Sequence, residues 1–411
     1  MSDDRLAHRK SSRRLRILYP NGSPAANQPI DIRQTRHAFL FGCGAFDAVA
    51  LANAAPGDPA RDMLEDRLSK WLEIFNYGTL PFYWGRFEPE QGNPHTDEIL
   101  RAARWLNARG VAVKGHPLCW HTVSAPWLLE RSNAEILDLQ LARIRRDVAD
   151  FAGEIDMWDV INEVVIMPIF DKYDNGITRI CKELHRVPLI KEVFAAAREA
   201  NPRATLLLND FNTSIDYEIL IDGCLAAGVQ IDAIGIQSHQ HQGYWGADKL
   251  HAVLERFSSF KLPIHFTENT IISGAIMPAH IEDLNDYQVE DWPTTPEGED
   301  RQARELSDMI NILFAHPLVE AFTIWDHADG KWLNAPSGII RRDNTEKPAH
   351  YAMRELVKGA WSTHESAHTD SNGELTVSGF QGDYMISCGD RTAGFSLRKG
   401  ELEPLDVGLS E

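Results

Sequence analysis

Short apolar runs alternate along most of the chain with longer segments in which apolar residues recur every three or four positions. The short runs are typical of buried strands, and the longer segments are typical of amphipathic helices. Strands are predicted at residues 37–43, 74–79, 111–117, 155–161, 205–209, 232–237, 263–267 and 321–325. Helices are predicted at residues 60–72, 96–109, 133–151, 189–200, 215–227, 247–260, 299–315 and 350–358. Eight alternating strand–helix pairs predict an α/β protein with a (β/α)8 barrel, the TIM barrel.

An open, doubly wound sheet is the other architecture with this alternation. It would place a glycine-rich nucleotide-binding turn after an early strand. The glycines after the first predicted strand, Gly42 and Gly44, do not continue into a G-x-G-x-x-G pattern. The barrel is therefore favoured, and no nucleotide cofactor is expected.

The two ends of the chain have a different pattern from the middle. Residues 15–32 alternate apolar and polar positions around the turn Pro20-Asn21-Gly22, which predicts a β-hairpin. Residues 374–378, 382–387 and 394–397 are predicted to be further short strands. Because chain termini often lie close together, both ends are expected to form one small satellite sheet beside the barrel.

Three domains are predicted on this basis. They are residues 1–36, an N-terminal tail and hairpin; residues 37–359, the barrel; and residues 360–411, the C-terminal strands. The satellite sheet is expected to be structural, and a carbohydrate-binding module is the alternative.

Acidic residues outnumber basic ones by 60 to 41, which gives a formal net charge of −19. No broad basic surface is expected to attract phosphate, so neither nucleic acid nor an anionic membrane is an expected partner. The basic N-terminal stretch lacks a following apolar signal region, and no segment reaches transmembrane length. The five cysteines are odd in number and lack C-x-x-C spacing, so reduced core residues are expected. These features favour a cytoplasmic protein, or a secreted one if a signal has been removed.

Two of the predicted strands end in a glutamate. Residues 157–163 (M-W-D-V-I-N-E) end at Glu163, and residues 262–268 (L-P-I-H-F-T-E) end at Glu268. In a barrel, the C-terminal ends of the strands line the active site. Two carboxyl groups about 5–5.5 Å apart can cleave a glycosidic bond with retention, one as proton donor and one as nucleophile. Either glutamate alone could be a solvated loop charge, but the pair is predicted to be catalytic.

The remaining strand ends provide a ring of polar and aromatic side chains. They are Tyr83, Trp84, His116, Trp120, His121, Asn162, Asn209, Asp210, Gln237, His239, His241, Trp325 and Trp332. Sugars suit such a ring, because their C–H faces stack on indole and their hydroxyls form hydrogen bonds. The histidines could instead bind a metal, but the H-x-H pattern of metal-dependent barrel hydrolases is missing after the first strand. An oligo- or polysaccharide partner is therefore expected, with no metal or other cofactor and no indication of an oligomeric state.

Six motifs, in order, resemble those of glycoside hydrolase family 10, the family of retaining endo-β-1,4-xylanases. They are G-H-P-L-C-W-H at 115–121, W-D-V-I-N-E at 158–163, L-N-D-F-N at 208–212, I-Q-S-H at 236–239, T-E at 267–268, and W-D at 325–326 with Trp332 and K-P-A at 347–349. The resemblance extends over residues 39–356. It implies a TIM barrel that hydrolyses β-1,4-linked xylan or xylo-oligosaccharides by a double-displacement mechanism.

The resemblance also implies roles for individual residues. Glu163 would be the general acid and then the general base, Glu268 the nucleophile, and His239 a partner that keeps Glu268 ionised. Asn162 would bind the sugar 2-hydroxyl at the cleaved bond. The same subsite would be shaped by His116, Trp120, Asn209, Gln237, Trp325 and Trp332.

The chain departs from the family pattern in three places. Tyr83 stands where the family has the Lys of E-N-x-M-K-W, Val123 stands where a Gln follows the W-H pair, and T-E-L-D becomes T-E-N-T at 267–270. The neighbouring sugar subsite is therefore predicted to have a more apolar wall, formed by Phe82, Tyr83 and Val123. This makes a retaining β-glycosidase for another β-linked glycan or a plant glycoside the alternative, and a catalytically idle carbohydrate-binding protein a further one. Residues 277–298 are predicted to form a loop that covers the substrate.

Overall fold

The computed structural model describes residues 4–401 and 403–410. The predicted domain ranges therefore include residues 1–3, 402 and 411, which lie outside the described residues. The strands, numbered in chain order, are β1 (Lys10–Leu18), β2 (Pro29–His37), β3 (Leu40–Gly44), β4 (Tyr77–Pro81), β5 (Ala112–His116), β6 (Met157–Asn162), β7 (Thr205–Asp210), β8 (Ala233–Gln240), β9 (Ile264–Ile271), β10 (Val319–Ile324), β11 (His364–His368), β12 (Glu374–Phe380), β13 (Gly382–Cys388), β14 (Arg391–Leu397) and β15 (Leu405–Gly408). The α-helices are α1 (Phe46–Asn53), α2 (Arg61–Ile74), α3 (Trp84–Phe87), α4 (Thr96–Asn107), α5 (Asn133–Asp150), α6 (Gly176–Leu184), α7 (Arg186–Ala200), α8 (Ile215–Ala226), α9 (Gly246–Ser258), α10 (Pro296–Ala315) and α11 (Pro348–Arg354).

Strands β3 to β10 form a closed parallel barrel in the order β10-β3-β4-β5-β6-β7-β8-β9. This confirms the predicted (β/α)8 fold. All eight predicted barrel strands are present, and β8 and β9 extend beyond their predicted ends to Gln240 and Ile271. These extensions are polar in sequence, so periodicity alone did not include them, although their backbones continue to pair.

The helices follow the predicted alternation, with additions. Helices α1, α3 and α6 were not predicted, and they lie in the connections that follow β3, β4 and β6. The last predicted helix, at 350–358, is α11 followed by a π-helical turn at Glu355–Ala360. In the described part of the chain, no helix combines the length and the apolar character needed to cross a membrane.

The chain forms two compact units, one from Phe41 to His350 and one from the residues up to Leu40 together with those from Tyr351 onward. The second unit contains strands from both chain ends, as predicted, but they form two small sheets rather than one. Their orders are β12-β1-β15 and β11-β2-β13-β14. The apolar faces of both sheets share one core, which includes Leu15, Ile32, Val377 and Ile386.

The predicted N-terminal hairpin is wrong. β1 pairs with β12 and β15, whereas β2 pairs with β11 and β13. A tight turn does follow β1, with the Tyr19 amide bonded to the Ser23 carbonyl, but the chain then continues to Pro29 before the next strand begins. Alternating polarity specifies a strand and its buried face, but it does not specify the strand with which it pairs.

Candidate active site

The two predicted catalytic glutamates stand at the C-terminal ends of separate barrel strands. Glu163 directly follows β6, and Glu268 lies within β9. In the barrel order, β7 and β8 lie between these two strands. The polar residues of β7 and β8 are therefore placed to connect the two carboxyl groups.

Amide side chains make that connection. Asn209 Nδ2 donates to Glu268 Oε1 at 2.8 Å and to Asn162 Oδ1 at 2.7 Å. Gln237 Nε2 donates to Asn162 Oδ1 and to Glu163 Oε1, both at 3.1 Å. The two carboxyl groups thus belong to one hydrogen-bonded cluster at the mouth of the barrel.

Residues of two other barrel strands, β8 and β9, fix the Asn209 amide in this cluster. The Thr267 hydroxyl donates to Asn209 Oδ1 at 2.6 Å, which leaves the amide nitrogen to face Glu268. On the neighbouring strand, a Cβ added at Gly235 would lie 2.4 Å from the same Asn209 oxygen. Glycine at position 235 therefore provides the space that this amide occupies.

Glu163 is held in an environment that favours its neutral form. Trp120 Nε1 donates to Glu163 Oε2 at 2.8 Å, and Asn162 Nδ2 donates to Oε1 at 3.2 Å. Such donors by themselves favour the ionised carboxylate, but burial and a neighbouring charge outweigh them. Burial, together with the nearby charge of Glu268, raises the pKa of Glu163 to about 8. Glu163 also has a positive φ of 55°, which is an unusual backbone conformation. A hydrogen bond from its backbone N–H to the Asn209 carbonyl, 2.9 Å long, helps to hold this conformation.

Glu268 is held in the opposite electrostatic environment. Burial by itself would raise the pKa of Glu268, but the His116 and His239 imidazoles outweigh it and lower that pKa. His239 Nε2 lies 3.2 Å from Glu268 Oε2, and His116 Nδ1 lies 3.8 Å from Oε1. At neutral pH, the site therefore combines an ionised Glu268 with a protonated Glu163.

A buried charge pair positions His116, and the sequence analysis missed it. Lys114 Nζ donates to Asp159 Oδ2 at 2.6 Å, and His116 Nδ1 donates to the same oxygen at 2.7 Å. Burial opposes ionisation of Asp159, but Lys114 and His116 lower its pKa below its ordinary value. Opposite charges inside two adjacent predicted strands were the available signal for this pair.

Thr270 is a second residue that the sequence analysis did not assign to the site. Its hydroxyl lies 3.3 Å from His239 Nδ1 and 3.1 Å from His241 Nδ1. It occupies the position of the last residue of the T-E-L-D pattern. The imidazole that contacts Glu268 is therefore supported by a neutral hydroxyl.

Aromatic residues line the cluster. The Tyr83 ring lies 5.7 Å from both His116 and Trp120. Trp325 stands edge-on to His116 at 5.2 Å, and Trp332 lies 4.5 Å from His239. Burial and the charge of Glu268 raise the pKa of Tyr83 well above its usual value, so its hydroxyl is neutral.

The structure brings eleven of the predicted residues into contact with one another or with a shared neighbour, whereas Trp84 packs against Trp127 and donates to Glu88 instead. Those eleven residues are Tyr83, His116, Trp120, Asn162, Glu163, Asn209, Gln237, His239, Glu268, Trp325 and Trp332. Among the residues that the structure describes, no group of three His, Cys, Asp or Glu side chains is arranged to hold a metal ion.

The apolar wall predicted beside the cleaved bond is corrected at one position. Phe82 packs against Phe87, Phe151 and Trp158, with ring centroids 4.8–5.0 Å apart, and is fully buried. Phe82 therefore belongs to the hydrophobic core, whereas the next residue, Tyr83, contacts His116 and Trp120. Val123 lines a hollow of about 300 Å³ with neighbours that include Tyr173.

The family model for glycosyl hydrolase family 10 matches residues 82–356, more than half of the chain. Endo-1,4-beta-xylanase B of Thermotoga neapolitana is 25% identical over 296 residues, which is 67% of this chain and 78% of that protein. The anti-sigma-I factor RsgI6 of Acetivibrio thermocellus is 23% identical over 390 residues, 92% of this chain. The chain spans 45% of the length of RsgI6, so it corresponds to less than half of that relative.

Solved structures show the same fold. Native xylanase 10B from Thermotoga maritima has a TM-score of 0.61 and 22% identity, covering 79% of this chain and 96% of its own. A GH10 structure from Paenibacillus barcinonensis has a TM-score of 0.62 and 21% identity, covering 78% of this chain and 96% of its own. Because the family model matches two thirds of the chain, from residue 82 to residue 356, the chain belongs to glycosyl hydrolase family 10 and is similar to the endo-1,4-beta-xylanases.

Proposed function

We propose that this protein hydrolyses β-1,4-linked xylan or xylo-oligosaccharides with retention of the anomeric configuration. The proposal rests on two carboxyl groups that share one hydrogen-bonded cluster but differ in protonation state, one neutral and one ionised. Burial and a neighbouring negative charge keep Glu163 protonated, whereas two imidazoles favour the ionised form of Glu268. Retaining glycosidases need this combination, because one carboxyl donates a proton while the other attacks.

In the first step, the Glu268 carboxylate attacks the anomeric carbon and forms a covalent glycosyl ester. The bond between that carbon and the leaving oxygen breaks, and Glu163 transfers its proton to the departing oxygen. Glu163 is then ionised and Glu268 is an uncharged ester. The loss of the Glu268 charge removes part of the field that raised the pKa of Glu163.

In the second step, a water molecule attacks the anomeric carbon of the ester. Glu163 accepts a proton from that water, the ester bond breaks, and Glu268 leaves as a carboxylate. Two displacements at the same carbon return the original configuration. His239 and Asn209 donate to Glu268, so they stabilise the carboxylate that both reacts and departs.

Asn162 is positioned to recognise the sugar beside the reacting carbon. Its amide contacts Glu163, Asn209 and Gln237, which fixes its orientation before substrate enters. A prealigned donor at the 2-hydroxyl strengthens its bond as charge develops on the sugar ring. The indoles of Trp325 and Trp332 offer apolar faces for the sugar C–H surface.

The alternative substrate class is another β-linked glycan or a plant glycoside, and Tyr83 is the observation that favours it. Tyr83 lies beside His116 and Trp120, at the position where the family pattern has a lysine. A neutral phenol offers one hydroxyl and a ring in place of an ammonium group with three donors. A sugar or aglycone with an apolar face suits this wall better than an unsubstituted xylose does.

Replacement of Glu268 tests the proposal directly. Glu268→Ala is expected to abolish turnover of aryl β-xylobioside, and added azide is expected to restore some rate with inverted product. Glu163→Ala is expected to lose far more activity on poor leaving groups than on dinitrophenyl glycosides, because only the former need protonation. A screen of aryl β-xylobioside, β-glucoside and β-galactoside with the wild type separates the two substrate classes.

Two outcomes would contradict the mechanism. Full activity of Glu268→Ala would show that another group is the nucleophile. Equal losses of Glu163→Ala on good and poor leaving groups would show that Glu163 is not the acid. Binding of xylo-oligosaccharides without hydrolysis of any glycoside would indicate a carbohydrate-binding protein instead.

A further inference from the structure

The segment at residues 277–295, between β9 and α10, has a defined structure of its own. Met277 and Trp292 are buried, and Leu284 and Tyr287 pack against them in a small apolar cluster. Tyr287 stands edge-on to Trp292 at 4.9 Å, and Trp292 Nε1 donates to the Ala275 carbonyl at 2.8 Å. These contacts anchor the segment on both sides of its tip, residues 283–286.

One side of the tip is attached beside the proposed nucleophile. Trp332 Nε1 donates to Asn285 Oδ1 at 3.3 Å. The Trp332 ring lies 4.5 Å from His239, which contacts Glu268. Trp332 belongs to the loop that follows β10.

The other side of the tip is attached to the loop that carries the proposed acid. Lys172 Nζ lies 2.7 Å from Asp283 Oδ2 and 2.7 Å from Asp286 Oδ1. Lys172 follows Glu163 in the loop between β6 and α6. The negative charge of Asp283 also acts on His121, the residue after Trp120.

The barrel order shows that these two attachments lie on opposite sides of the mouth. The closed order β10-β3-β4-β5-β6-β7-β8-β9 places β6 four strands from β10 in either direction. The tip is therefore bonded to two loops that follow strands on opposite sides of the barrel. The two glutamates lie at the C-terminal ends of β6 and β9, at the same end of the barrel as these loops.

We propose that residues 283–286, fastened by Lys172, form a roof over the site that restricts cleavage to short β-linked oligosaccharides and chain ends. This inference rests on the proposed glycosidase function and adds its substrate-length selection. An internal segment of a long polysaccharide must lie across the barrel mouth, and the roof occupies that path. Lys172 is the specificity-determining residue, because among the described residues it is the cation that pairs with both carboxylates of the tip.

The ion pairs between Lys172 and the tip are weak enough to break reversibly. The side chain of Lys172 is 39% exposed and that of Asp286 is 63% exposed, so water and salt reach the pair. Exposed ion pairs contribute little and are screened at high ionic strength. Addition of salt to the wild type should therefore have the same effect as removal of Lys172.

The test compares two substrates in each variant. The measured quantity is kcat/KM on soluble long-chain xylan divided by kcat/KM on aryl β-xylobioside. Lys172→Ala is expected to raise this ratio about three- to tenfold, the range that corresponds to loss of exposed ion pairs. In 1 M NaCl, wild-type enzyme is expected to approach the ratio of the variant, whereas Lys172→Ala is expected to respond little to salt.

Two further variants make the result specific. Arg145→Ala removes an exposed ion pair of similar length, 2.8 Å to Glu199, between α5 and α7, and is expected to leave the ratio unchanged. Lys172→Asp combined with Asp283→Lys and Asp286→Lys reverses the charges and is expected to restore the wild-type ratio. Restoration would show that attraction between the loops, rather than a local distortion at Lys172, limits the substrate.

The outcomes separate this inference from the proposed function. Hydrolysis of aryl β-xylobioside with the same ratio in wild type, Lys172→Ala and high salt would overturn the roof and leave the glycosidase proposal intact. Absence of hydrolysis of any β-glycoside by the wild type would overturn the proposed function and the role of the roof with it.

Discussion

At the scale of single residues, two identical side chains take different protonation states because their neighbours differ. Glu163 receives hydrogen bonds from neutral donors, and burial next to a negative charge raises its pKa to about 8. Glu268 contacts two imidazoles, one of them held in place by Asp159. The environment therefore assigns acid and nucleophile without any difference in residue type.

The pH profile follows from these shifts. Hydrolysis of substrates with poor leaving groups needs protonated Glu163, so kcat/KM should fall as pH rises through about 8. On a dinitrophenyl glycoside, Glu163→Ala should lack this alkaline decline, because no proton is required from position 163. Initial rates between pH 4 and pH 10, at saturating and low substrate, check the prediction. An alkaline decline that persists in Glu163→Ala would assign it to another group.

The same pKa shift predicts a pH-dependent change in stability. The pKa of Glu163 is higher in the folded protein than in the unfolded chain. The stability that protonated Glu163 provides is therefore fully present below the unfolded pKa and is lost as pH rises through about 8. Glu163→Gln cannot ionise and should therefore unfold at a higher temperature than wild type at pH 9. At pH 4 the two should differ little. Thermal unfolding at both pH values is the measurement, and equal differences at the two would contradict the assignment.

Tyr83 is expected to limit the affinity for unsubstituted xylo-oligosaccharides. A sugar hydroxyl that binds against an apolar wall loses its hydrogen bonds with water. Each hydroxyl left unpaired costs about 1–3 kcal/mol of binding free energy. Tyr83→Lys should therefore raise kcat/KM on xylo-oligosaccharides. Tyr83→Phe, which keeps the ring, is the matched control and should not raise it. A wild type that degrades these substrates as efficiently as other xylanases of the family would show that Tyr83 serves packing alone.

At the scale of elements, secondary structure could be predicted from the sequence where the local hydrophobic pattern agrees with the tertiary environment. The eight barrel strands are apolar because both of their faces are covered, so their positions could be predicted from hydrophobicity. The site residues could be located because barrel strands place their C-terminal ends at one mouth. The same reasoning predicts Glu163 and Glu268 at that mouth, and the structure places both at barrel strand ends.

Other features depend on contacts between segments that are distant in sequence, and hydrophobic periodicity does not predict such contacts. The pairing of β1 with β12 and of β2 with β13 was missed because a strand pattern does not name its partner. Lys114 and Thr270 were missed because their roles are set by neighbouring strands. Residues 277–298 were predicted only as a loop that covers the substrate. The ion pairs of Asp283 and Asp286 with Lys172 could not be predicted, since they join two loops far apart in sequence.

The N-terminus of helix α10 is capped by Thr295, the residue just before Pro296. The Thr295 hydroxyl accepts a hydrogen bond from the Gly298 amide at 3.1 Å, and Pro296 begins the helix. Thr295→Ala should lower the free energy of unfolding by about 1 kcal/mol, because that amide loses its acceptor. Thr295→Ser keeps the hydroxyl and should cost much less. Urea denaturation of both variants checks the prediction, and equal losses would show that the cap hydroxyl is not the stabilising group.

At the scale of the whole molecule, the chain ends are joined by sheet pairing. The N-terminal β1 lies between β12 and β15, and the N-terminal β2 lies between β11 and β13. Each sheet therefore contains strands from both ends of the sequence. Removal of either end would leave unpaired strand edges, which are prone to aggregation.

The core between these two sheets should affect stability without affecting chemistry. Ile386 on β13 is fully buried, whereas its neighbour Met385 points to the opposite face and is 39% exposed. Ile386→Ala should lower the free energy of unfolding by about 2–5 kcal/mol, since it leaves a cavity in a closed core. Met385→Ala, which deletes a side chain of similar size, should change it far less. At a temperature where both variants are folded, their kcat on an aryl glycoside should equal that of the wild type, because the proposed site residues lie in the other compact unit. Denaturant unfolding and steady-state rates measured on the same preparations check both parts. A fall in kcat for folded Ile386→Ala would show that this small core acts on the active site as well as on stability.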